Sequence, residues 1–393
     1  AIGGGVAEAI IEALRQAAPD TWLEPTCFGY NPSPWWFRWV DSALTTFGDD
    51  APPGRVPCPV WSESLTSGRD YFCLQGAYWL PLPAVGLEAL GLIHQTPYPY
   101  LNDGVTVLLR GHQFMPVYLN PKYMNDVRWD QLGGLFKWAR EHSDLLSQSE
   151  VLLPVAWQGG KAPKLLQHEK MPREPYGYAH FVGEEGLVHL RNPWVAESSY
   201  TFELDASVGF PEGLQGLSAW SVYPEARLYA QGVGYGDSLT IPLAPYETVV
   251  LRFGPASEAP AGLPTPPAMT PGVQVKVIEQ EVKALKFDDA GGELTADTTP
   301  LIRTPEALSV KLAAGLSGAQ SEPQLLVLLE ADHTVGEPGG IEVLADGMPV
   351  QTRQEVSDAG WTATMLPKAE YWRFLLADLP KGTKAISVRF LCA

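Results

Sequence analysis

Long apolar runs, positive charge and paired cysteines are what this sequence has least of. Nowhere in its 393 residues do about 18 apolar residues follow one another, so no helix able to span a bilayer is encoded. Lys and Arg number 27 against 45 Asp and Glu, and the formal net charge of −18 repels phosphate backbones and anionic bilayers. Nucleic acid is therefore not an expected partner. Cys27, Cys58, Cys73 and Cys392 lie far apart, with no CxxC pair and no zinc-type histidine spacing, so neither a metal site nor a disulfide framework can be read and the redox compartment stays open. None of the seven histidines has a partner at i, i+4, and His94, His112, His142, His180 and His189 read as structural or surface groups. There is no P-loop, no Ser-His-Asp order and no nucleophile elbow. "GVGYG" at 232–236 lies inside a hairpin pattern rather than between a strand and a helix, so no nucleotide or other cofactor is expected.

What is present is a globular composition. Hydrophobic residues make up 45% and charged ones 18%, enough apolar surface for two or three cores at this length. The 36 Pro and 13 Trp, with few Lys, lean toward an exported, polysaccharide-handling protein, secreted or periplasmic. The first residues, "AIGGGVAEAIIEALRQAAPD", show neither an initiator Met nor the basic-then-apolar plan of a signal peptide, and the chain reads as a fragment.

Residues 6–18 carry Val6, Ile10, Ile11 and Leu14 at the spacing of an amphipathic helix. "TWLEPTCF" then reads as a short buried strand, "SPWWFRWVDSAL" as a helix opened by Ser33 and Pro34, and "LTTFG" as another strand. The alternation continues through a helical "ESLTSGRDYFCLQGA", an apolar "LEALGLIHQ", a helical "DGVTVLLRGHQ", a strand-like "FMPVYLNP" and the helix "WDQLGGLFKWAREHSDLLSQ". Such alternation predicts β/α units on a parallel sheet over residues 1–154, about four of the eight that a closed barrel needs. From residue 155 to 254, period-two stretches such as "GYAHFVGEEGLVHLRNP" and "ARLYAQGVGYGDSLTIPLAPYETVVLRF", with Gly and Asp turns, predict a small antiparallel β-sandwich. Residues 255–272, rich in Pro and Ala, read as a linker. Residues 273–393 read as a second β-sandwich of unassigned role.

Asp49 and Asp50 follow the apolar "LTTF" at the point where a parallel strand would end, the face on which β/α barrels assemble their sites. A carboxyl group held there is suited to general acid chemistry. "GDD" equally suits a plain turn. Trp22, Trp35, Trp36, Trp39, Trp61, Tyr71 and Trp79 crowd the same part of the sequence, as core side chains or as flat faces for sugar rings.

Residues 20–70 resemble the second half of the barrel in the retaining α-galactosidase and α-N-acetylgalactosaminidase superfamily, the melibiase-like glycoside hydrolases. "LEPTCFGYNPSPWW" is similar to the loop after that family's fifth strand, with Glu24 and Cys27 near the family's acidic residue and cysteine. "LTTFGDD" is similar to the loop after the sixth. "GLVHLRNP" and "LTIPLAPYETVVLRF" resemble the sandwich behind such barrels, and the likeness covers roughly residues 1–255.

With the strand pattern of residues 273–393, the resemblance implies a fold of α/β plus all-β type: the C-terminal half of a (β/α)₈ TIM barrel followed by two antiparallel β-sandwich domains. It implies Asp49 as the catalytic acid/base, Cys27 to Tyr30 as a wall against the sugar's 2-substituent, and Trp35 and Trp36 as anchors of the next helix. Asp50 would be a hydrogen-bonding or turn residue, and Arg69 either a carboxylate partner or a surface group. The substrate would be an oligosaccharide or glycan, with no metal and no cofactor. No strand in the β/α region ends in the Lys-x-Asp that carries the family's nucleophile, so this polypeptide alone is expected to be inactive. The alternative is a non-catalytic carbohydrate-binding or adhesion protein on a hydrolase-like scaffold, to which Trp361, Tyr371 and Trp372 would contribute. Oligomeric state is left open.

Overall fold

The structure is a computed structural model. It describes residues 2–24, 36–44, 66–71, 73–74, 87–88, 91–94, 100–112, 115–161, 174–194, 197–244, 246–266, 307–311, 324–332, 340–357, 370–380 and 382–391. Two compact units divide at residues 268 and 269.

The first unit opens with α1, Ile2–Ala17, as its periodicity predicts. Only part of its apolar stripe is covered: Ala7 and Ile11 are buried, while Val6, Ile10 and Leu14 are 60%, 50% and 47% exposed. The next two expectations are corrected. Thr21–Glu24 forms no strand, because the Leu23 N–H bonds the Asp41 carboxylate at 2.8 Å instead of a neighbouring backbone. Within the described part of the helix expected over 33–44, only a 3₁₀ turn, Trp36–Arg38, is formed, and the chain then bends at Asp41, which meets Arg15 at 2.5 Å. The chain then enters β1, Ala43–Leu44.

α2 (residues 66–71, continuing at 73–74) leads to β2, Leu87–Glu88, which pairs with β1 in parallel. β3, Leu92–His94, pairs in parallel with β4, Val117–Leu119, across α3, Leu101–Leu108. Each pair has a helix between its strands, as a β/α/β crossover does, and among the described residues the two parallel pairs are separate two-stranded sheets. α3 stops earlier than its sequence pattern, at a turn where Gly111 has φ +79° and a Cβ would lie 2.6 Å from the Leu146 carbonyl oxygen. α4, Asp126–Glu141, starts before the predicted residue 129 because Asn125 caps it, accepting from the Arg128 N–H at 3.0 Å. A break at His142 separates it from the single turn α5, Ser143–Leu146.

Beyond this the sheets are antiparallel. β5 (Glu150–Leu152), β6 (Tyr176–Val182), β7 (Glu185–Arg191), β9 (Leu217–Tyr223), β10 (Leu228–Val233) and β12 (Thr248–Pro255) form one sheet in the order β10-β9-β12-β7-β6-β5. β8 (Ser198–Glu203) and β11 (Ser238–Leu243) form a second. The edge strand β5 lies ahead of residue 155, where the sandwich was expected to begin. At the other end, β12 runs to Pro255, and Leu228 donates to the Pro264 carbonyl, so the first part of the expected 255–272 linker folds onto the sheet.

One face of the large sheet, with Phe181, Val188, Leu190, Leu251 and Phe253, packs on Tyr200, Phe202, Ile241 and Leu243 of the small one. The opposite face is covered by helices: Tyr176 and Tyr178 meet Tyr71 and Leu74 of α2, while Leu187 and Val250 meet Val105, Leu108, Leu145 and Leu146. This double burial explains why β6 and β7 are buried almost continuously instead of alternating.

The second unit contains the antiparallel sheets β13-β19-β15-β16 and β14-β18-β17, built from β13 (Ala307–Lys311), β14 (Gln324–Asp332), β15 (Gly340–Ala345), β16 (Met348–Pro349), β17 (Thr352–Ser357), β18 (Glu370–Asp378) and β19 (Ala385–Leu391). Asp346 and Gly347, at φ +48° and +85°, close the β15–β16 hairpin as an Asp-Gly primed turn.

Two substitutions probe the sandwich. Phe253→Ala should lower stability by about 3–5 kcal/mol through lost burial and the cavity left behind. Gly177→Ala should also destabilise, since its Cβ would lie 1.8 Å from the His189 carbonyl oxygen. Urea unfolding followed by tryptophan fluorescence measures both, and an unchanged midpoint for Gly177→Ala would show that the strands separate there without cost.

Candidate functional site

Of the residues expected to form a site, Asp49, Asp50, Cys27, Tyr30 and Trp35 lie outside the described residues. Glu24 is half-buried and accepts from the Ser42 hydroxyl at 2.5 Å, while Trp22 Nε1 donates to the same hydroxyl oxygen at 3.2 Å. Together with the Arg15–Asp41 pair, these bonds stitch the end of α1, residues 21–24 and the approach to β1 into one polar cluster. Glu24 thus lies beside the residue that precedes β1.

Arg69 is 1% exposed, so its reading as a surface group is corrected. Tyr71, one of the candidate sugar-facing aromatics, is fully buried with its ring 5.4 Å from Trp157 and 5.0 Å from Tyr176. Trp22 remains 43% exposed.

α2 does contribute charge, but to a buried seam that the sequence reading missed. Asp70 accepts from Arg110 Nε at 2.6 Å, from the Tyr176 hydroxyl at 2.6 Å and from the Tyr178 hydroxyl at 3.4 Å. Burial opposes the Arg110 charge, yet the Asp70 carboxylate, with Cys73 and Tyr178 beside it, raises the guanidinium pKa. Burial first, and then Asp70, raises the phenols of Tyr176 and Tyr178, so both stay protonated and donate. Beside this group Arg191 donates to Ser67 Oγ at 2.9 Å and to Thr106 Oγ1 at 3.1 Å, and pairs with Asp103 at 3.6 Å. His189 Nε2 lies 3.1 Å from Thr106 Oγ1. His180 lies between the Leu109 and Gln148 carbonyls at 2.9 and 3.1 Å. These two histidines fit the structural reading, as does His142, stacked on Trp138 at 4.5 Å.

One open feature of this unit is a cleft of about 530 Å³ between the amino ends of α3 and α4 and the end of β9. Tyr100, Leu101 and Asn102 line one side, Asn125, Val127, Arg128 and Gln131 the second, and Tyr223 the third. α3 and α4 each follow a parallel strand, so their amino ends lie toward the carboxyl ends of β3 and β4, the side on which β/α folds bind ligands. Among the described residues, no group of three or more His, Cys, Asp or Glu side chains is arranged to hold a metal ion, and no helix is long and apolar enough to cross a membrane.

No family model matches the chain, and no curated protein matches it. Solved structures similar to it include glycoside hydrolases. One is a GH27 β-L-arabinopyranosidase from Geobacillus stearothermophilus, at 10% identity and TM-score 0.38, covering 63% of this chain and 54% of that one. Another is α-galactosidase I from Mortierella vinacea, at 10% identity and TM-score 0.37, covering 63% and 62%. A third is a maltogenic α-amylase from Thermotoga neapolitana, at 11% identity and TM-score 0.37, covering 63% and 58%. The chain therefore spans between half and two thirds of the length of these structures.

The buried seam makes two predictions. Asp70→Asn leaves Arg110 buried without its counter-charge and should cost about 3–5 kcal/mol, of which Asp70→Asn combined with Arg110→Met should recover part. Stability should also depend on the histidines. Burial, then Arg191, His180 and Arg110, holds His189 well below the usual histidine range, and burial pushes His180 down to about 4. Between about pH 6.5 and about 4 the unfolded chain binds protons that the native His180 and His189 refuse. Stability should therefore be highest above about pH 6.5 and fall on acidification by about 1.4 kcal/mol per pH unit per histidine. Denaturant unfolding at pH 7, 6 and 5 reads the slope, and a flat profile would contradict the assignment of neutral rings.

Proposed function

We propose that this chain belongs to a glycoside hydrolase that cleaves α-linked galactosides or N-acetylgalactosaminides by a retaining double displacement, with Asp49 as the general acid/base. The observation that carries this reading is topological. β1 is a parallel strand, and from its last residue, Leu44, the chain reaches Asp49 in five residues. Side chains that follow the carboxyl ends of parallel strands form the active face of β/α barrels. The crossovers β1–α2–β2 and β3–α3–β4 support residues 1–154 as the C-terminal half of such a barrel, and the sequence resemblance of "LTTFGDD" supplies the residue.

In the first step a carboxylate nucleophile from outside these β/α units attacks the anomeric carbon, and the bond to the leaving oxygen breaks as Asp49 gives that oxygen its proton. In the second step Asp49 takes a proton from water, which displaces the carboxylate and restores the anomeric configuration. The two carboxyl groups would stand about 5–5.5 Å apart. Glu24, Cys27, Tyr30, Trp35, Asp50 and Arg69 would shape or support the sugar site, and secretion or export to the periplasm suits a polysaccharide substrate.

Purified 393-residue chain should not turn over an aryl α-galactoside, and detectable turnover would place the nucleophile within it. In a protein that carries the nucleophile, Asp49→Asn should lower kcat by about 10² or more, with little change in Tm. Asp50→Asn should lower it less. The reverse order would move the acid/base role to Asp50, and full activity in both variants would take that role away from both residues.

A further inference from the structure

We propose that the cleft between α3, α4 and β9 is a binding site for a neutral saccharide of one or two rings. Its volume of about 530 Å³ lies within the range of about 300–1,000 Å³ usual for small-molecule pockets. Its walls are set by the protein before any ligand arrives. The Tyr100 hydroxyl donates to the Arg128 carbonyl and ties α3 to α4, and the Tyr223 hydroxyl donates to Asn102 Oδ1 and ties β9 to α3. Arg128 Nη1 is itself directed to the Tyr123 carbonyl. Binding therefore does not have to order the walls, which removes one of the usual costs of association.

The chemistry facing the cleft fits hydroxyl groups better than a charge. The Gln131 side chain makes no hydrogen bond to protein among the described residues, so its carboxamide offers one acceptor and two donors. Asn125 spends its Oδ1 on the Arg128 N–H, which leaves its NH₂ group as a donor. A sugar hydroxyl both donates and accepts, and pairs with such amides without the desolvation cost of an ion. The tyrosine rings, with Leu101 and Val127, provide apolar contact for the C–H face of a pyranose ring. Arg128 brings one cation to the lining, but its Nη1 is spent on the Tyr123 carbonyl, Asp126 precedes it in the first turn of α4, and an anion would enter a chain of net charge −18. The saccharide class agrees with the proposed activity but is derived from the cleft lining, none of whose described residues has a part in the proposed hydrolysis, so either can fail without the other.

The test is calorimetric titration of the 393-residue chain with methyl α-D-galactopyranoside, with melibiose and, separately, with sodium sulfate. The expected result is saturable binding of a sugar at a Kd of about 1 mM, the scale of a few neutral hydrogen bonds and one apolar face. Gln131→Ala should weaken it about threefold to tenfold. Asn125→Asp keeps a competent helix cap but replaces the NH₂ donor, and should weaken it similarly with the circular-dichroism melting curve unchanged. Sugar binding indifferent to both Gln131→Ala and Asn125→Asp would put the sugar elsewhere and overturn the proposal. Absence of saturable sugar binding, or displacement of the sugar by sulfate, would overturn it as well.

Discussion

The first unit is organised around a charge that has no access to water. Asp70 is fully buried, and taking a carboxylate out of solvent costs several kcal/mol unless its oxygens are engaged. Arg110 and two tyrosine hydroxyls engage them, and these donors come from the turn after α3 and from β6. The arrangement therefore holds only when α2, the end of α3 and the large sheet are all in place. Arg191 repeats the pattern on β7, gathering Ser67 of α2, Thr106 and Asp103 of α3. Apolar contacts alone would let helices slide over a sheet face at little cost, whereas directional bonds to buried ions fix one register.

That fixity bears on the stretch that holds the proposed acid/base. The chain arrives at β1 from a polar cluster in which Arg15, Asp41, Ser42 and Glu24 hold one another. It reaches α2 at Thr66, immediately before Ser67 and Asp70 enter the buried seam. The segment in between thus begins and finishes at well-anchored points.

Local signals were legible and distant ones were not. The β6–β7 hairpin shows in "FVGEEGL", where Gly183 supplies a positive φ of 59°, and the β15–β16 turn shows in its Asp-Gly pair. α1 and α4 follow from their periodicity. The stretch 33–44 misled because its Ser-Pro start imitates a helix opening, while the Arg15–Asp41 contact spans 26 residues. The seam was invisible for the same reason: Asp70 meets Arg110 at a separation of 40 residues and Tyr176 at 106. Each of these residues looks ordinary in its own neighbourhood. The saccharide cleft likewise combines the starts of two helices with the end of a strand about 100 residues further on. No one-dimensional pattern would have joined them.

The strand order of the large sheet leaves β5 and β10 at its margins. β5 has only three residues, and β10 pairs with β9 through two register shifts, between Leu228 and Ala230 and between Gln231 and Val233. An incoming extended peptide would find a template too brief on one flank and too irregular on the other to dock along it. The sheet thereby resists recruitment into intermolecular β-structure, a hazard for any layer so rich in Val, Leu and Phe.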